Sequence, residues 1–380
     1  MMILRRSTNR LPIKPPTVSH VTKAITSGAA MAARDLALKR LQLQIQGHDP
    51  SKKVPRVGIL GAPLVHGQPL NGTKSAPELL RRARINEKLE KKGVIVHDFG
   101  DLKFTVESDD GEIIPGCKFA KTVGKANHQI AKSVERVLKS GCQVLLLGGD
   151  HSIALGSVFG HTRVAEEIAL VWVDAHPDIN TPLTSLSGNI HGMPVGFLCK
   201  ELPHVSPPVP GLEWLKPCIS AKNIAYIGVR SIDPGEKKFL NELNICAYSV
   251  EDIQELGMDF VIQTALHQID PMGVLPIHVS FDVDVLDPEL MPATGTPVER
   301  GLSIEQARTL ATAIFHTGRL ALLEVVELNP MLVSTAVSNW CADVAVDIIL
   351  RCLRGKRRQA ATQLKTLPQD NLLVHCMRED

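Results

Sequence analysis

Short apolar runs typical of β-strands alternate with longer amphipathic segments typical of helices, from Val54 to Leu353. Successive parallel strands need crossover connections, and helices usually supply them. The alternation therefore predicts an α/β fold with three layers, in which a central parallel β-sheet lies between two layers of helices. Because ligands of such folds bind beyond the carboxyl ends of the strands, the residues that follow each strand are the candidates for a functional site.

The pattern predicts particular boundaries for these elements. Strands are expected at 54–60, 94–96, 144–147, 168–173, 224–228, 277–283 and 320–326. Helices are expected at 76–92, 122–140 and 336–353, and a further helix begins at Ser303, where Gln306 completes a capping-box pattern. A short helix and linker are expected within 35–53. With no internal repeat or boundary signal, residues 54–355 are predicted to form one domain, and 356–380 a polar tail.

Composition excludes some classes of function. Lysine and arginine total 42 against 40 aspartates and glutamates, a formal net charge of +2, which does not favour nucleic acid or an acidic membrane as partner. No apolar run approaches the length of a membrane span. The eight cysteines contain no C-x-x-C pair, so we expect reduced thiols in an intracellular compartment and not a disulfide framework.

The amino-terminal segment differs in composition from the rest. Between Met1 and Arg34 there are six basic residues and no acidic one, and serine and threonine are frequent. This composition predicts that residues 1–53 are an extension containing a mitochondrial transit peptide followed by a linker. The alternatives are a basic arm without a targeting role, or an incorrect start site, and either would favour a cytoplasmic location.

Aspartate and histidine cluster where three predicted strands end. The residues of these clusters that could bind a metal are His151, then Asp174, His176 and Asp178, then Asp282 and Asp284. Buried carboxylates on one face of a strand repel each other and resist desolvation unless a positive charge lies between them. Six ligands are too many for one ion and suit two. Oxygen-rich ligation with some imidazole favours manganese over zinc, so two Mn²⁺ per subunit are predicted.

Each cluster has an ordinary explanation when it is taken alone. A single Asp-x-His is commonly a helix cap or surface turn, and a D-x-D is commonly a solvated turn. The coincidence of all three at strand ends of one sheet is what favours a binuclear centre, a device that generates hydroxide at neutral pH.

The motifs resemble those of the ureohydrolase family, and within it the arginases. They are GGDHS at 148–152, VDAHPDINTP at 173–182, SGNIHG at 187–192, SFDVDVLDP at 280–288, ATGTPV at 293–298 and EVVELNP at 324–330. The resemblance implies an arginase/deacetylase-like fold, with 54–355 as the catalytic domain. It implies hydrolysis of L-arginine to L-ornithine and urea by a hydroxide that bridges two manganese ions. By the same analogy the protein would be a homotrimer.

The resemblance also implies roles for individual residues. His151, Asp174, Asp178 and Asp282 would hold one metal, and Asp174, His176, Asp282 and Asp284 the other. Asp178 would also orient the hydroxide, Glu327 would pair with the guanidinium and His191 would shuttle protons. Seven residues match substrate-binding positions, namely Asn180, Ser185, Ser187 and Asn189 for the carboxylate, Asp233 and Glu236 for the α-amino group, and Thr296 in the guanidinium pocket.

Several positions depart from the common arginase pattern. Pro177 stands between two ligands, Ser231 replaces an aspartate, Leu186 and Met193 replace polar residues, and Val285 replaces a small one. These departures bear on affinity and turnover more than on reaction type. Two alternatives stay open. The chain could be another ureohydrolase, such as an agmatinase, or a catalytically silent homologue that acts as a binding subunit. The intact ligand set argues against the second, and Asn180 with 187–189 argues against the first.

Overall fold

The structure is a computed structural model that describes residues 54–107, 116–203 and 208–354. The predicted extension over 1–53, with its short helix and linker, and the predicted tail over 356–380 lie outside these residues. In the described part no helix is long and apolar enough to cross a membrane. None of the seven cysteines described there forms a disulfide.

Eight strands and ten α-helices form the described domain. The strands are β1 (Arg56–Ala62), β2 (Ile95–Asp101), β3 (Gln143–Gly148), β4 (Ala169–Val173), β5 (Ile224–Val229), β6 (Cys246–Ser249), β7 (Ile277–Asp282) and β8 (Leu320–Val326). The helices are α1 (Ala76–Arg82), α2 (Ile85–Lys91), α3 (Ala120–Lys139), α4 (Ala154–Thr162), α5 (Pro194–Leu198), α6 (Pro234–Glu242), α7 (Val250–Leu256), α8 (Met258–Ile269), α9 (Ile304–Thr317) and α10 (Thr335–Cys352).

All eight strands belong to one parallel sheet with the order β2-β1-β3-β8-β7-β4-β5-β6. Its inner strands are buried on both faces, so that β4 reads as an uninterrupted apolar run. One face packs against α1, α2 and α7–α10, and the other packs against α3–α6. The predicted three-layer α/β fold is confirmed.

Most predicted elements appear within a few residues of their expected ends, but the helix predicted over 76–92 is wrong as a single element. It breaks at Arg84, whose φ of 64° is left-handed. Leu80 and Ile85 are both fully buried although they are five residues apart. In a continuous helix that spacing would point them to different faces, and the break lets both reach the core.

Two other boundaries changed for identifiable reasons. The strand predicted over 94–96 extends from Ile95 to Asp101, where edge exposure hides its apolar alternation. β7 ends at Asp282 and not at Val283. The Asp282 carboxylate accepts a hydrogen bond from the Asp284 N–H at 2.8 Å, and this turns the chain into a 3₁₀ helix. Asp284 therefore reaches the sheet edge by a turn, not by strand alternation.

Candidate active site

The residues that follow five adjacent strands converge at one edge of the sheet. β3, β8, β7, β4 and β5 are neighbours in that order, although they are far apart in sequence. They deliver His151, Glu327, Asp282, Asp174 and Asp233 respectively. Because the strands are parallel, all their carboxyl ends lie on the same side, and the predicted clusters meet there.

His151 lies at the centre of the first ligand group. Its Nδ1 is 3.0 Å from Asp174 Oδ2, 3.1 Å from Asp178 Oδ2 and 3.1 Å from Asp282 Oδ2. This nitrogen is buried and makes no hydrogen bond of acceptable geometry, whereas Nε2 is 2.7 Å from the hydroxyl of Ser280. A buried imidazole nitrogen facing three carboxylate oxygens without a hydrogen bond is the arrangement expected of a metal ligand.

A second ligand group lies beside the first and shares Asp174 with it. His176 Nδ1 is 3.1 Å from Asp284 Oδ2 and 3.4 Å from Asp174 Oδ1. The ligand atoms of Asp174, His176 and Asp284 lie close enough together to hold one ion, as do those of His151, Asp174 and Asp178. Five of the six predicted ligands thus fall into two groups that share Asp174, and the sixth, Asp282, lies 3.1 Å from His151 Nδ1.

The electrostatics of this cluster fit a pair of cations. Burial raises the pKa of Asp178 to about 6, with Asp174 adding to the shift. Burial, together with the charges of Asp284 and Asp174, raises the pKa of Asp282 well above its usual range. Burial opposes protonation of His151, but the facing aspartates raise its pKa well above normal. The polypeptide alone leaves these carboxylates short of positive charge, which bound metal ions would supply.

Two residues of the site hold left-handed backbone conformations although neither is glycine. Asp178 has a φ of 50° and Glu327 a φ of 63°. Such a conformation costs on the order of 1–3 kcal/mol and persists only where the surroundings enforce it. The Glu327 N–H donates to Gly149 O at 2.9 Å, and the Asp178 carbonyl accepts from Val195 N–H at 3.0 Å. These contacts hold both side chains towards the cluster.

His191 and Glu327 form a pair beside the ligand groups. His191 Nδ1 is 3.1 Å from Glu327 Oε1, and the same oxygen accepts a hydrogen bond from the His151 N–H at 2.8 Å. Burial lowers the pKa of His191, but the hydrogen bond and charge of Glu327 more than offset this and raise it. His191 is thus set up to carry a proton near neutral pH.

A cleft of about 130 Å³ opens over the ligand groups. Six of the seven predicted substrate-binding residues line it, namely Asn180, Ser185, Ser187, Asp233, Glu236 and Thr296. Four of the predicted metal ligands line it as well, namely His176, Asp178, Asp282 and Asp284. His191 and Ser231 also line the cleft. Asn189 and Glu327 do not; Glu327 is only 1% exposed.

Hydrogen bonds already orient several of the polar groups in this cleft. Asn180 Nδ2 donates to Asp233 Oδ2 at 2.9 Å, and Thr184 Oγ1 donates to Asn180 Oδ1 at 2.9 Å. The Thr296 hydroxyl donates to Asp284 Oδ2 at 3.0 Å, which ties it to a predicted ligand.

Glu236 is more constrained than its predicted role in reading an amino group requires. Its two oxygens accept hydrogen bonds from the backbone N–H groups of Ile179 at 3.1 Å and Asp233 at 2.9 Å. Mainly through burial, its pKa rises to about 8. Glu236 therefore fixes the start of α6 against the metal-ligand loop, in addition to lining the cleft.

Sequence reasoning missed a polar network beneath the site. Ser280 donates to Glu324 Oε1 at 2.7 Å, and His278 Nε2 lies 3.4 Å from the same oxygen. A glutamate in the middle of an apolar strand was the available signal, because it must have buried partners. Arg230 was also missed. Its guanidinium donates to the carbonyls of Gly228, Asp284, Val285, Val298 and Glu299.

The chain matches known proteins over most of its length. Residues 55–354 match the model of the Arginase family. Arginase-1 of Homo sapiens is 45% identical over 305 residues, which is 80% of this chain and 94% of that protein. A non-hepatic arginase of Xenopus laevis is 40% identical over 339 residues, or 89% of this chain and 94% of the relative.

Solved structures agree with the sequence comparison. The arginase of Bacillus caldovelox superposes with a TM-score of 0.72 at 34% identity, covering 80% of this chain and 99% of that one. The arginase of Entamoeba histolytica, solved in complex with L-ornithine, superposes with a TM-score of 0.69 at 28% identity, covering 78% and 99%.

Divalent cations should stabilise the protein more at pH 8 than at pH 5.5. Carboxyls whose pKa is raised in the folded protein bind protons more tightly there than when unfolded. Their protonation therefore contributes stability at low pH, and this contribution is lost as pH rises through about 6 for Asp178. Cations compete with those protons, so the rise in Tm on adding Mn²⁺ to chelator-treated protein should grow with pH. An equal or smaller rise at pH 8 would contradict the electrostatic account.

Proposed function

The chain belongs to the arginase family, and from that premise we propose that the carboxylate cluster at its sheet edge hydrolyses L-arginine to L-ornithine and urea with the help of two manganese ions. The protein is a hydrolase that acts on the guanidino C–N bond of arginine. The observation that carries the proposal is the pair of ligand groups that share Asp174, directly below a polar cleft.

The donor set supports two ions. His151, Asp174, Asp178 and Asp282 would hold one, and Asp174, His176, Asp282 and Asp284 would hold the other. When bound, such a pair supplies the Lewis acidity that makes water nucleophilic at neutral pH. Four carboxylates and two imidazoles, with no thiolate, are the donors that suit manganese better than zinc.

Glu327 is the residue proposed to meet the guanidinium. In the described part of the chain its Oε2 accepts no hydrogen bond, because both of its side-chain contacts use Oε1. A guanidinium beside two metal ions is repelled by them, and a buried carboxylate offsets that repulsion while its oxygen accepts an N–H. The remaining acceptor atom of Glu327 is suited to this task.

His191 is the residue proposed to move the proton. In the reaction the oxygen of water adds to the guanidinium carbon, and the bond from that carbon to the side-chain nitrogen of arginine breaks. The nitrogen that leaves as the ornithine amine must gain a proton. His191 lines the cleft and has a raised pKa, so it can donate this proton and regain one from water.

Recognition of the α-amino acid end is assigned to the outer part of the cleft. Asn180, Ser185 and Ser187 supply donors suited to a carboxylate, and Asp233 supplies an acidic partner for the ammonium. Asn189 does not line the cleft; its N–H lies 3.2 Å from Ser187 Oγ, so we infer that it shapes the loop. Ser231 also faces the cleft but brings no charge there.

The two alternatives to arginine hydrolysis have less support. An agmatinase would have no substrate carboxylate for these donors to bind. A silent binding subunit would not need six candidate metal ligands close together at one sheet edge. An assay of urea release with arginine and agmatine side by side, with and without Mn²⁺, separates all three possibilities.

Two further features are proposed on other grounds. The support for a homotrimer is the resemblance to animal arginases alone. The support for a mitochondrial location is the acid-free basic composition of residues 1–34.

Purified active protein should contain about two manganese ions per chain. Chelation should abolish urea release and Mn²⁺ should restore it, because the metals supply the nucleophile. Asp178→Asn removes a ligand charge from the site and should lower kcat by about 100-fold or more. Metal analysis by inductively coupled plasma mass spectrometry checks the content; one zinc and no manganese in active protein would contradict the assignment.

Arginine should be preferred over agmatine by about 100-fold or more in kcat/KM, because agmatine leaves the carboxylate and ammonium partners unpaired. Because Ser231 brings no negative charge to the ammonium site, KM for arginine should be high. Ser231→Asp should lower KM for arginine, with kcat and the agmatine rate little changed. Steady-state urea release measures both. Equal rates on the two substrates would overturn the specificity while leaving a two-metal hydrolase.

A reporter fused to residues 1–34 should enter mitochondria, since this segment has the basic, acid-free composition of a transit peptide. The matched control replaces Arg5, Arg6 and Arg10 with glutamine in the same fusion and should stay in the cytosol. Fluorescence microscopy with a mitochondrial marker distinguishes the outcomes. Diffuse signal from the unaltered fusion would reject the location.

A further inference from the structure

Asp150 is a buried carboxylate next to the metal-ligand group but has none of the roles assigned above. It is completely buried, and its oxygens are occupied by protein donors. Oδ2 accepts the Gly67 N–H at 2.9 Å, and Oδ1 accepts the Ser152 N–H at 3.0 Å together with the Ser152 hydroxyl. Asp150 therefore joins the end of β3 to the loop after β1, 83 residues away.

The loop around Gly67 is in turn attached to His191. The carbonyl of Gly67 accepts the backbone N–H of His191 at 3.0 Å. A Cβ at Gly67 would lie 2.3 Å from Asp150 Oδ1 and 2.4 Å from Ser152 Oγ, so only glycine fits against the carboxylate here. A single residue, Gly67, thus links Asp150 to His191: its N–H donates to the carboxylate and its carbonyl accepts from the His191 N–H.

The ring of His191 is anchored to the same turn from the other side. Its Nδ1 contacts Glu327 Oε1, and that oxygen accepts the N–H of His151, the residue after Asp150. The Glu327 N–H donates to the carbonyl of Gly149, the residue before Asp150. The backbone of His191 is therefore linked to Asp150 through Gly67, and its imidazole is linked to residues 149 and 151 through Glu327.

The chemistry of these contacts calls for a carboxylate and not an amide. Every partner of Asp150 is a donor, and the donors approach both oxygens. Asparagine would place an NH₂ against either Gly67 N–H or Ser152 N–H. Two donors facing each other in a buried site cost roughly 1–3 kcal/mol, and the simplest relief is movement of the Gly67 loop.

We propose that Asp150 is a positioning residue that fixes, through Gly67, where the His191 imidazole lies in the cleft. The proposal rests on the role of His191 as proton donor given above. Asp150 touches neither substrate nor metal; it acts by fixing where the imidazole stands relative to the leaving nitrogen, since proton transfer requires hydrogen-bond reach.

The test is a double-mutant cycle on the manganese-loaded full chain. Asp150→Asn should lower kcat by about 10-fold, with KM for arginine and manganese content little changed, because misplacement of a catalytic group affects the chemical step. In a His191→Ala background the same substitution should cost less than about 2-fold, since the group it positions is gone. The matched control, Ser152→Ala, removes a contact at Oδ1 and leaves the Gly67 contact intact, so kcat should fall by less than about 3-fold.

Hydrogen–deuterium exchange provides a readout that does not depend on turnover. In Asp150→Asn, exchange of segments 65–68 and 189–192 should accelerate together, while 174–178 should be unchanged. If Asp150→Asn does not fold, Gly67→Ala perturbs the same link from the other side, and its kcat loss should likewise disappear in the His191→Ala background.

Distinct outcomes would overturn the proposal and its premise. An additive loss in the His191→Ala background, or loss of manganese from Asp150→Asn, would show that Asp150 acts elsewhere and would leave the proposed function standing. Unaltered kcat in His191→Ala would reject the proton-donor role and, with it, this proposal. No urea release from arginine by the unaltered enzyme would reject the proposed function itself.

Discussion

Four carboxylates buried close together are the constraint on which the rest of the site depends. Asp174, Asp178, Asp282 and Asp284 are all at most 7% exposed, and their mutual repulsion is strong at the low dielectric of a buried site. Three of them accept hydrogen bonds of their own: Asp174 from Trp172 Nε1–H at 3.0 Å, Asp282 from the Asp284 N–H at 2.8 Å and Asp284 from the Ala175 N–H at 3.2 Å. The fold thereby holds negative charge in place for cations. This costs conformational free energy, part of which lies in the left-handed backbone of Asp178.

The network below the ligands determines which nitrogen of His151 is free to bind. The Glu324 carboxylate can only accept, so Ser280 donates to it, and the Ser280 oxygen is then left to accept from His151 Nε2–H. In the neutral imidazole, the form that binds a metal, the proton thus sits on Nε2 and the Nδ1 lone pair faces the aspartates. Burial would raise the pKa of Glu324, but the neighbouring His278 and His151 lower it overall, which keeps the acceptor charged. The hydrogen bond that Ser280 donates to Glu324 thus determines that His151 would bind a metal through Nδ1.

The fold, and the meeting of the six candidate ligands at one edge of the sheet, could be predicted from the sequence because both follow local rules. Apolar runs alternate with amphipathic segments, and each ligand cluster stands directly after a run. What could not be predicted depends on contacts distant in sequence. The break at Arg84 answers to the core that Leu80 and Ile85 share. The Glu236 carboxylate accepts the Ile179 N–H only because α6 packs against the loop that contains Ile179. The position of the 185–192 loop likewise leaves Asn189 out of the cleft lining. Motif matching names such residues but does not give their contacts.

The strand order has a consequence for how the protein acquires its activity. The two ligand groups use residues that follow β3, β7 and β4, and these residues span positions 151 to 284. The strand that lies between β3 and β7 is β8, which is the last strand along the chain. No contiguous fragment that stops before residue 320 can close this arrangement. The centre is therefore a late product of folding, since its sequence-distant pairings incur their loop-closure entropy first. Tight metal binding then reports that the whole sheet is complete, and metal release is expected to loosen the central strands together and not one loop at a time.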